Sequence, residues 1–443
     1  MDFDVIERLR SISQKNREKN ANSVNMTNTA DMTNAVYAAN KLDESNAANR
    51  DVRSALDVEN IIEGYIYEDE EGKCFIIENS YPLTYIYGGC SLGDILAFDQ
   101  SSIRRLSSDI DNEHINDLDI RDLIFFDIET TGLSGGVGTV AFLVGTGFFE
   151  EDAFVVRQYF MRDYDEEVTM LNALNKLFGS HKGIITFNGR AFDWNIIQSR
   201  FTYNRIRPRF GGGDIIHVDL LIPARRIWKE KLQSCSLSSL EENILDEYRT
   251  DDIPGMLIPQ VYFKYLLDRD ARDIKRVLKH NELDILSMVS LFSKINSMLD
   301  SPLCNTSCEQ ELIGVGRIFE SAGETDNLIN CYEKCMESED LVIKNKALKK
   351  LSQVYKRNGD YQKAICHWES MAMHQNLFSI YSLVELAKYY EHKAKDPEKA
   401  LEMTEKAVQI YLRMGIGEES AYLYELKKRL ERLRRKTGKR QVE

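Results

Sequence analysis

The stretch FFDIETTGL, residues 125–133, places two carboxylates inside an apolar and small-residue segment. Asp127 and Glu129 are two residues apart, and a β-strand directs alternate side chains to the same face. Two like charges held side by side repel each other, and burying even one carboxylate carries a large desolvation cost. A strand with this pattern therefore needs a positive partner for its acids.

Composition and charge narrow the class of protein. The chain has 443 residues, of which 43% are hydrophobic, and a formal net charge of −14, which favours roughly two to three globular domains without a generally basic surface. Contact with nucleic acid would then depend on local basic patches or bound metal. No apolar run reaches the roughly 20 residues of a membrane helix, the first residues lack the pattern of a secretory signal, and eight cysteines are too sparse for a disulfide framework. We therefore expect a reduced, cytoplasmic protein.

Four segments are expected along the chain. Residues 1–58 are rich in Asn, Ala, Ser and Thr, which predicts a mostly disordered segment. Residues 59–115 contain two strand-like runs around the turn signal DEEGK, which predicts a lead-in with a β-hairpin. Residues 116–300 alternate strands and helices, a pattern typical of an α/β domain with a mixed sheet flanked by helices. Residues 305–443 lack strand signals and are predicted to be all-α.

A repeat marks the all-α segment. Gly323 and Gly359 are 36 residues apart, and the same offset relates Ala364 to Ala400. This period is typical of stacked helix–turn–helix units resembling tetratricopeptide repeats, although the usual Trp-x-x-Leu-Gly pattern is absent. Such a domain could bind a protein partner. The basic run of its final helix could contact a phosphate backbone or be a solvated helix end.

Two further motifs supply acids that could join Asp127 and Glu129. Asp193 follows a predicted strand in TFNGRAFDWNII, and LKHNELDILSMVSL places His280 and Asp284 on one face of a helix. Carboxylate oxygens suit Mg²⁺ or Mn²⁺, and two such ions can activate a water and stabilise the leaving oxygen in phosphodiester hydrolysis. A nearby histidine can take the proton of that water. The sequence therefore predicts two divalent metal ions as the positive partner of the acids.

The motifs DIETTGL, FNGRAFD and HNELD resemble, in this order, the three motifs of the DEDD exonucleases, which have a ribonuclease-H-like fold. GLSGGVGTVAFLVG and HVDLLIPARRIW resemble the bacterial YprB-type branch, in which this domain is often joined to tetratricopeptide repeats. The resemblance covers roughly residues 60–300 well and the repeats more loosely. It implies a two-metal 3′-5′ exonuclease that acts on single-stranded DNA or RNA and releases nucleoside 5′-monophosphates.

The resemblance also implies residue roles. Asp127, Glu129 and Asp284 would bind metal directly, Asp193 would hold the second metal, and His280 would orient or deprotonate the attacking water. Three residues separate His280 from Asp284, which is the spacing of the tyrosine-type subgroup rather than the histidine-type subgroup. His280 could therefore stand in the place of the tyrosine, with Glu282 as an alternative to it.

Several residues are predicted to contact the nucleic acid or to support the site. Thr130 and Gly132 would shape the turn near the scissile nucleotide, and Asn188 belongs to the second motif. SRFTYNRIRPRF interleaves arginines and aromatic residues, so it could bind phosphates and stack on bases or form an ordinary charged loop. The residues assigned to nucleic-acid binding are Thr130, Gly132, Asn188, Arg205, Arg207 and Arg209. Asp219 is left outside the catalytic set as a supporting or structural acid.

Two function classes compete with an exonuclease. A non-enzymatic scaffold would use the helical repeats to bind a partner and retain the nuclease fold as a relic, but all four acids are intact. An endonuclease of the same fold would cut circular strands, which an exonuclease cannot. The glycine-rich stretches SGGVG and FGGGD lack the residues of phosphate-binding loops and are interpreted as turns. Cysteines 304, 308, 331 and 335 lack the usual zinc spacing and are expected to pack in helices.

Overall fold

A computed structural model describes residues 55–98, 100–106, 118–132, 138–210, 215–374, 376–415 and 420–438. Within these ranges, seven strands form one mixed sheet flanked by helices, and the chain continues from residue 302 as helices alone. This confirms the predicted α/β domain followed by an all-α domain. Almost all of the segment predicted to be disordered, 1–58, lies outside the described residues. Val58 at its end is fully buried and begins the first short helix.

The strands follow the apolar runs of the sequence. The sheet has the order β1-β2-β7-β6-β5-β8-β9, and a ribbon of β3 and β4 lies apart from it. Their bounds are β1 Tyr65–Asp69, β2 Gly72–Pro82, β3 Ile86–Tyr87, β4 Cys90–Ser91, β5 Leu123–Thr130, β6 Ala141–Phe149, β7 Ala153–Phe160, β8 Gly183–Thr186 and β9 Ile216–Asp219.

Strand direction changes at the centre of the sheet. β1, β2, β7, β6 and β5 pair in antiparallel fashion, whereas β8 and β9 run parallel to β5. The predicted hairpin of the lead-in is β1–β2, and its second strand pairs with β7, so the hairpin extends the main sheet. β5 therefore lies between an antiparallel half and a parallel half.

Helices cover both faces of the sheet and then continue alone. The helices are α1 Val58–Ile61, α2 Gln100–Leu106, α3 Glu167–Gly179, α4 Asp193–Tyr203, α5 Leu221–Trp228, α6 Leu237–Leu240, α7 Ile258–Asp268, α8 Arg272–Asp300, α9 Pro302–Asn305, α10 Glu309–Ala322, α11 Thr325–Cys335, α12 Leu341–Arg357, α13 Tyr361–Ala372, α14 Leu377–His392, α15 Pro397–Arg413 and α16 Ala421–Lys436. None of the described helices is long and apolar enough to cross a membrane.

Alternation along β5 divides the core into two layers. Phe126 packs beside Phe178 of α3 and Trp194 of α4 on one face of the sheet. Phe125 lies on the other face, edge-on to Phe292 of α8. Aromatic pairs of this kind add to the burial of apolar area, which is the main stabilising contribution in such a core. The long helix α8 is thereby fixed against the central strand.

The helical half has an internal period that agrees with the repeat in the sequence. Gly323, Gly359 and Lys395 follow one another at intervals of 36 residues and have positive φ angles of 77°, 82° and 58° in the turn within each helix pair. Ala364 and Ala400 are fully buried at equivalent places. The assignment of these pairs to the tetratricopeptide class stays a prediction.

Four cations of the last helix form ion pairs with acids of neighbouring helices. Arg429, Arg432 and Lys436 all form ion pairs with Glu391 of α14, at N–O distances of 3.1, 2.6 and 2.7 Å. Arg434 pairs with Glu405 at 3.1 Å. These pairs favour a structural interpretation of the basic run over contact with a phosphate backbone.

The two halves meet at a seam with a buried centre, which we define as residues 226–231 with residues 307–314. Gly314 of α10 lies so close to α5 that an added Cβ would be 2.4 Å from both the carbonyl oxygen of Arg226 and the Cα of Ile227. Trp228, fully buried, donates its Nε1–H to Glu311 Oε1 at 3.1 Å. The helical half is therefore packed directly on the α/β domain.

Candidate metal-binding active site

Three separate parts of the chain meet at the carboxyl edge of the parallel strands. Asp127 and Glu129 lie on β5, where they are half-buried between fully buried positions. Asp193 opens α4 directly after β8, and because β8 runs parallel to β5 it brings α4 to the same edge. His280 and Asp284 lie one turn apart on α8, which packs across β5. The structure thus brings the five predicted catalytic residues together.

A polar row anchors the first aspartate. Asp127, Gly145 and Gln158 are paired neighbours on β5, β6 and β7. Asn281 of α8 lies over this row, donates Nδ2–H to Asp127 Oδ2 at 2.8 Å and accepts from Gln158 Nε2 at 2.8 Å. An added Cβ on Gly145 would be 2.2 Å from Asn281 Oδ1, so this approach requires glycine. The row fixes the orientation of the Asp127 carboxyl group.

The acids of the cluster have perturbed ionisation. Burial raises the pKa of Asp127 and of Glu129 well above the usual range, and the charges of Asp284 and Asp193 raise both further. Burial, followed by the charges of Asp219 and Asp284, raises the pKa of Asp193 to about 7. The cluster must therefore retain protons near neutral pH or bind a cation that replaces them.

One group of donor atoms in the described part of the chain is compact enough to hold a metal ion. One donor atom from each of Glu129, His280 and Asp284 lies within 4.8 Å of the other two. His280 Nε2 is 3.9 Å from Glu129 Oε1 and 3.5 Å from Asp284 Oδ2. Carboxylate oxygens with one imidazole nitrogen fit a divalent cation such as Mn²⁺ or Mg²⁺. Asp127 and Asp193 add carboxylates at the border of this group.

A largely buried arginine stands beside the cluster. Arg249 lies between α6 and α7, and its guanidinium contacts Asp284 and Glu241, with Nε–H donated to Glu241 Oε2 at 2.8 Å. Burial opposes its charge, but the attraction of Asp284 and Glu241 outweighs burial and raises the pKa of Arg249. One carboxylate of the site therefore has an internal counter-cation.

Asp219 has a structural place in the site. Its carboxylate accepts from the backbone N–H groups of Asn188 at 2.8 Å, Leu221 at 3.0 Å and Arg190 at 3.2 Å. These bonds fix the turn between β8 and α4, in which Asn188 has a φ of 67°. Asp219 thereby sets where α4 and Asp193 begin. Asn188 itself is exposed on this turn, at the same edge as the acids.

The other predicted contact residues fall in two places. Thr130 ends β5 and donates its hydroxyl to the carbonyl of Gly132 at 2.8 Å, so both lie next to the acids. Arg205, Arg207 and Arg209 follow the far end of α4, a helix of 11 residues and hence about 16 Å long. They are exposed, the backbone of Arg207 and Arg209 is hydrogen-bonded to Asn175 of α3, and their role stays a prediction. Most of SGGVG and FGGGD lies outside the described residues.

Glu282 turns away from the site. Its buried carboxylate accepts from Asn79 Nδ2 at 2.6 Å and from Tyr81 O–H at 2.5 Å, both on β2. Lys279 donates to its second oxygen at 2.8 Å. These contacts leave His280, and not Glu282, directed at the metal-binding group.

Four residues of the site were not found from the sequence. Asn281 stands inside the HNELD motif but was not assigned a role, and Gln158 occurs in a strand with no motif. Arg249 and Asp252 lie in DEYRTDDIPG, where a run of charges is typical of a solvated loop. Only the tertiary structure shows that this loop folds back onto α8.

Comparison with known proteins agrees with this geometry. Residues 124–296 match the model of the RNase_H superfamily, which defines the class of the α/β domain. The chain is also 35% identical over 357 residues to the uncharacterized protein YprB of Bacillus subtilis (strain 168), covering 78% of this chain and 82% of that protein. The chain therefore belongs to the family of YprB within the RNase_H superfamily.

Proposed function

We propose that this protein is a metal-dependent nuclease that hydrolyses single-stranded nucleic acid from its 3′ end. The observation that carries the proposal is the meeting of four carboxylates and one histidine, from three separate parts of the chain, at the carboxyl edge of the sheet. Membership of the RNase_H superfamily supports nuclease chemistry in general. Exonuclease mode and 3′ polarity rest on the motif resemblance.

The donor set favours two hard divalent cations, Mg²⁺ or Mn²⁺. Glu129 and Asp284 would hold one ion beside His280, and Asp127 with Asp193 would hold a second next to it. When bound, such ions lower the pKa of water and stabilise the charge on the leaving oxygen. The raised pKa values of the acids support this assignment, because two cations would remove the repulsion that now favours protonation.

His280 accounts for the proton that leaves the attacking water. The oxygen of a water forms a bond to phosphorus while its proton passes to His280 Nε2, which faces Glu129 and Asp284. The bond between phosphorus and the 3′ oxygen breaks, and that oxygen leaves with its electron pair and takes a proton from solvent. The products are a nucleoside 5′-monophosphate and a strand shortened by one nucleotide with a new 3′ hydroxyl.

The position of the acids supports a single-stranded substrate. Asp193 is buried, and Glu129 and Asp284 are only 14% and 15% exposed, so one unpaired end must enter the site. Thr130, Gly132 and Asn188 lie beside the acids and would contact that end. The helical half would bind a protein partner, and eight free cysteines support a reduced, cytoplasmic setting.

A cleavage assay tests the proposal. Single-stranded DNA and RNA labelled at the 5′ end are incubated with Mg²⁺, Mn²⁺ or EDTA, using the natural protein and D127N. A ladder that shortens from the 3′ end, absent with EDTA and in D127N, would support the nuclease and its polarity. Cleavage of a circular strand would favour an endonuclease. No cleavage together with no binding of Mn²⁺ would overturn the proposal and favour a scaffold.

A further inference from the structure

The segment Asp246–Asp252 completes the site from outside the three motifs. It follows a π-helical turn, Glu241–Leu245, and precedes α7. Asp246 and Asp251 have φ angles of 54° and 58°, in the left-handed region that residues with a side chain adopt rarely. Such strain is maintained only where surrounding contacts fix the backbone, and it is concentrated at functional sites.

Contacts at both ends hold this segment in place. Glu247 Oε1 accepts the backbone N–H of Gly88 at 2.9 Å. Arg276 of α8 contacts the carbonyl oxygens of Asp251 and Asp252, each at 3.3 Å. The segment is thus fixed on α8 beside His280.

Asp252 makes the shortest contact of the His280 ring. Its Oδ1 is 2.8 Å from His280 Nδ1. Arg249 Nη1 is also 3.2 Å from Nδ1, but a guanidinium only donates and a carboxylate only accepts, so the two contacts require opposite protonation of Nδ1. The Asp252 contact is shorter and charged, and Arg249 Nη1 has Asp252 Oδ2 at 3.5 Å as another acceptor. Nδ1 therefore carries the proton and donates it to Asp252.

We propose that Asp252 is a positioning residue that keeps the Nδ1–H of His280 and so leaves the Nε2 lone pair directed at Glu129 and Asp284. The inference rests on the proposed function, because it assigns a supporting residue to the same site. The other tautomer would place a hydrogen on Nε2, which would then point at the oxygens of Glu129 and Asp284 and could not accept a proton from water. Asp252 thus determines whether His280 can act at all.

The first test reads the tautomer directly in the natural protein. Nitrogen NMR of histidine-labelled protein with Mg²⁺ bound distinguishes Nδ1–H from Nε2–H, and the signal missing in H280Q assigns the ring. We expect Nδ1–H. A ring that is Nε2–H with Mg²⁺ bound, with Arg249 donating to Nδ1, would overturn the proposal without any variant of Asp252.

The second test measures Mn²⁺ affinity by calorimetry in D252N and D251N. D251N is the matched control, because Asp251 is adjacent, its side chain is 84% exposed, and asparagine tolerates its positive φ. D252N should bind Mn²⁺ about tenfold more weakly, because an Nε2–H directed at Glu129 and Asp284 would compete with the cation for their oxygens. D251N should stay within about twofold of the natural protein.

The outcomes separate this inference from the proposed function. An unchanged Mn²⁺ affinity and tautomer in folded D252N would overturn the positioning role even if the protein is an active nuclease. If no nucleic acid is cleaved but the tautomer and affinity change as expected, the nuclease proposal fails and the positioning of His280 stands.

Discussion

The acidic cluster at the carboxyl edge of the sheet and the seam between the two halves both bury carboxylates. In the cluster, burial and mutual repulsion raise the pKa of Asp127, Glu129 and Asp193. At the seam, burial alone would raise the pKa of Glu311, but hydrogen bonds from Lys231 and Ser307 lower it. The pKa values of buried carboxylates therefore shift upwards in the cluster and downwards at the seam.

The difference lies in the partners that each carboxylate has in the fold. Glu311 accepts from Lys231 Nζ at 2.8 Å, from the Ser307 N–H at 2.7 Å and from Trp228 Nε1 at 3.1 Å. Asp127 has the neutral amide of Asn281 as its hydrogen-bond partner. At the seam, the charge of Glu311 is compensated by hydrogen-bond donors of the fold. In the cluster, the carboxylates repel one another, and a bound cation would remove that repulsion.

The largest expected effect comes from D127N. This change should lower phosphodiester hydrolysis by about a thousandfold or more, because losing a metal ligand removes several kcal/mol of transition-state stabilisation. The metal-free protein should unfold at the same or a higher temperature, because one repelling charge is gone. Cleavage assays and thermal unfolding check both parts. Equal activity of D127N and the natural protein would show that Asp127 is not a residue of the active site.

The matched change at the seam is E311Q, which also replaces a carboxylate with an amide. It should lower the free energy of unfolding by about 1–3 kcal/mol, because Lys231 and the Ser307 N–H lose a charged acceptor. Its activity per folded molecule should be unchanged, since Glu311 does not contact the acidic cluster. Denaturant unfolding and the same cleavage assay measure these quantities. A stable but inactive E311Q would show that the seam is coupled to the site.

The pH dependence of stability distinguishes the two kinds of carboxylate further. The pKa of Asp193 is about 7 in the fold against an ordinary value near 3.8, so the native state binds more protons than the unfolded state between these values. Stability of the metal-free protein should therefore fall as pH rises from about 4 to 7, on the order of several degrees in Tm. Thermal unfolding at a series of pH values measures this slope.

The controls for this slope use D193N and added metal. D193N should have a smaller slope and exceed the natural protein in Tm at pH 8 without metal, whereas D251N should behave like the natural protein. Mg²⁺ or Mn²⁺ should raise Tm most at high pH, because it competes with protons for the same oxygens. A slope that is identical in D193N would contradict the assignment of the shift to this cluster.

The comparison also explains what the sequence could predict. Local periodicity in the sequence predicts a strand that carries Asp127 and Glu129 on one face, and a helix that carries His280 and Asp284 on one face. The structure has both elements. The extension of the sheet by β1–β2 depends on pairing across the sequence, which periodicity does not encode. The sequence therefore predicts the order of the two domains but not the extent of the sheet.

Long-range charge pairing was inaccessible from the sequence for the same reason. The sequence predicts metal ions as the positive partner of the acids. The structure adds Arg249, which contacts Asp284 across 35 positions of sequence. Conversely, Arg205 and its neighbours look suitable in sequence but follow the far end of α4. The type of a residue indicates what it can bind, and only the fold decides which residues meet.

The smallest expected effect comes from E230Q, which changes a carboxylate of the seam that is more exposed than Glu311 and accepts fewer hydrogen bonds. Glu230 receives Arg317 and Lys346, each at 2.6 Å, and its side chain is 25% exposed against 5% for Glu311. Solvent screens the more exposed pairs, so E230Q should lower the free energy of unfolding by about 0.2–1 kcal/mol. Denaturant unfolding in low and high salt measures this, and salt should reduce the effect of E230Q more than that of E311Q. Equal losses in both variants would mean that neither burial nor the number of partners sets the stability that a carboxylate of the seam contributes.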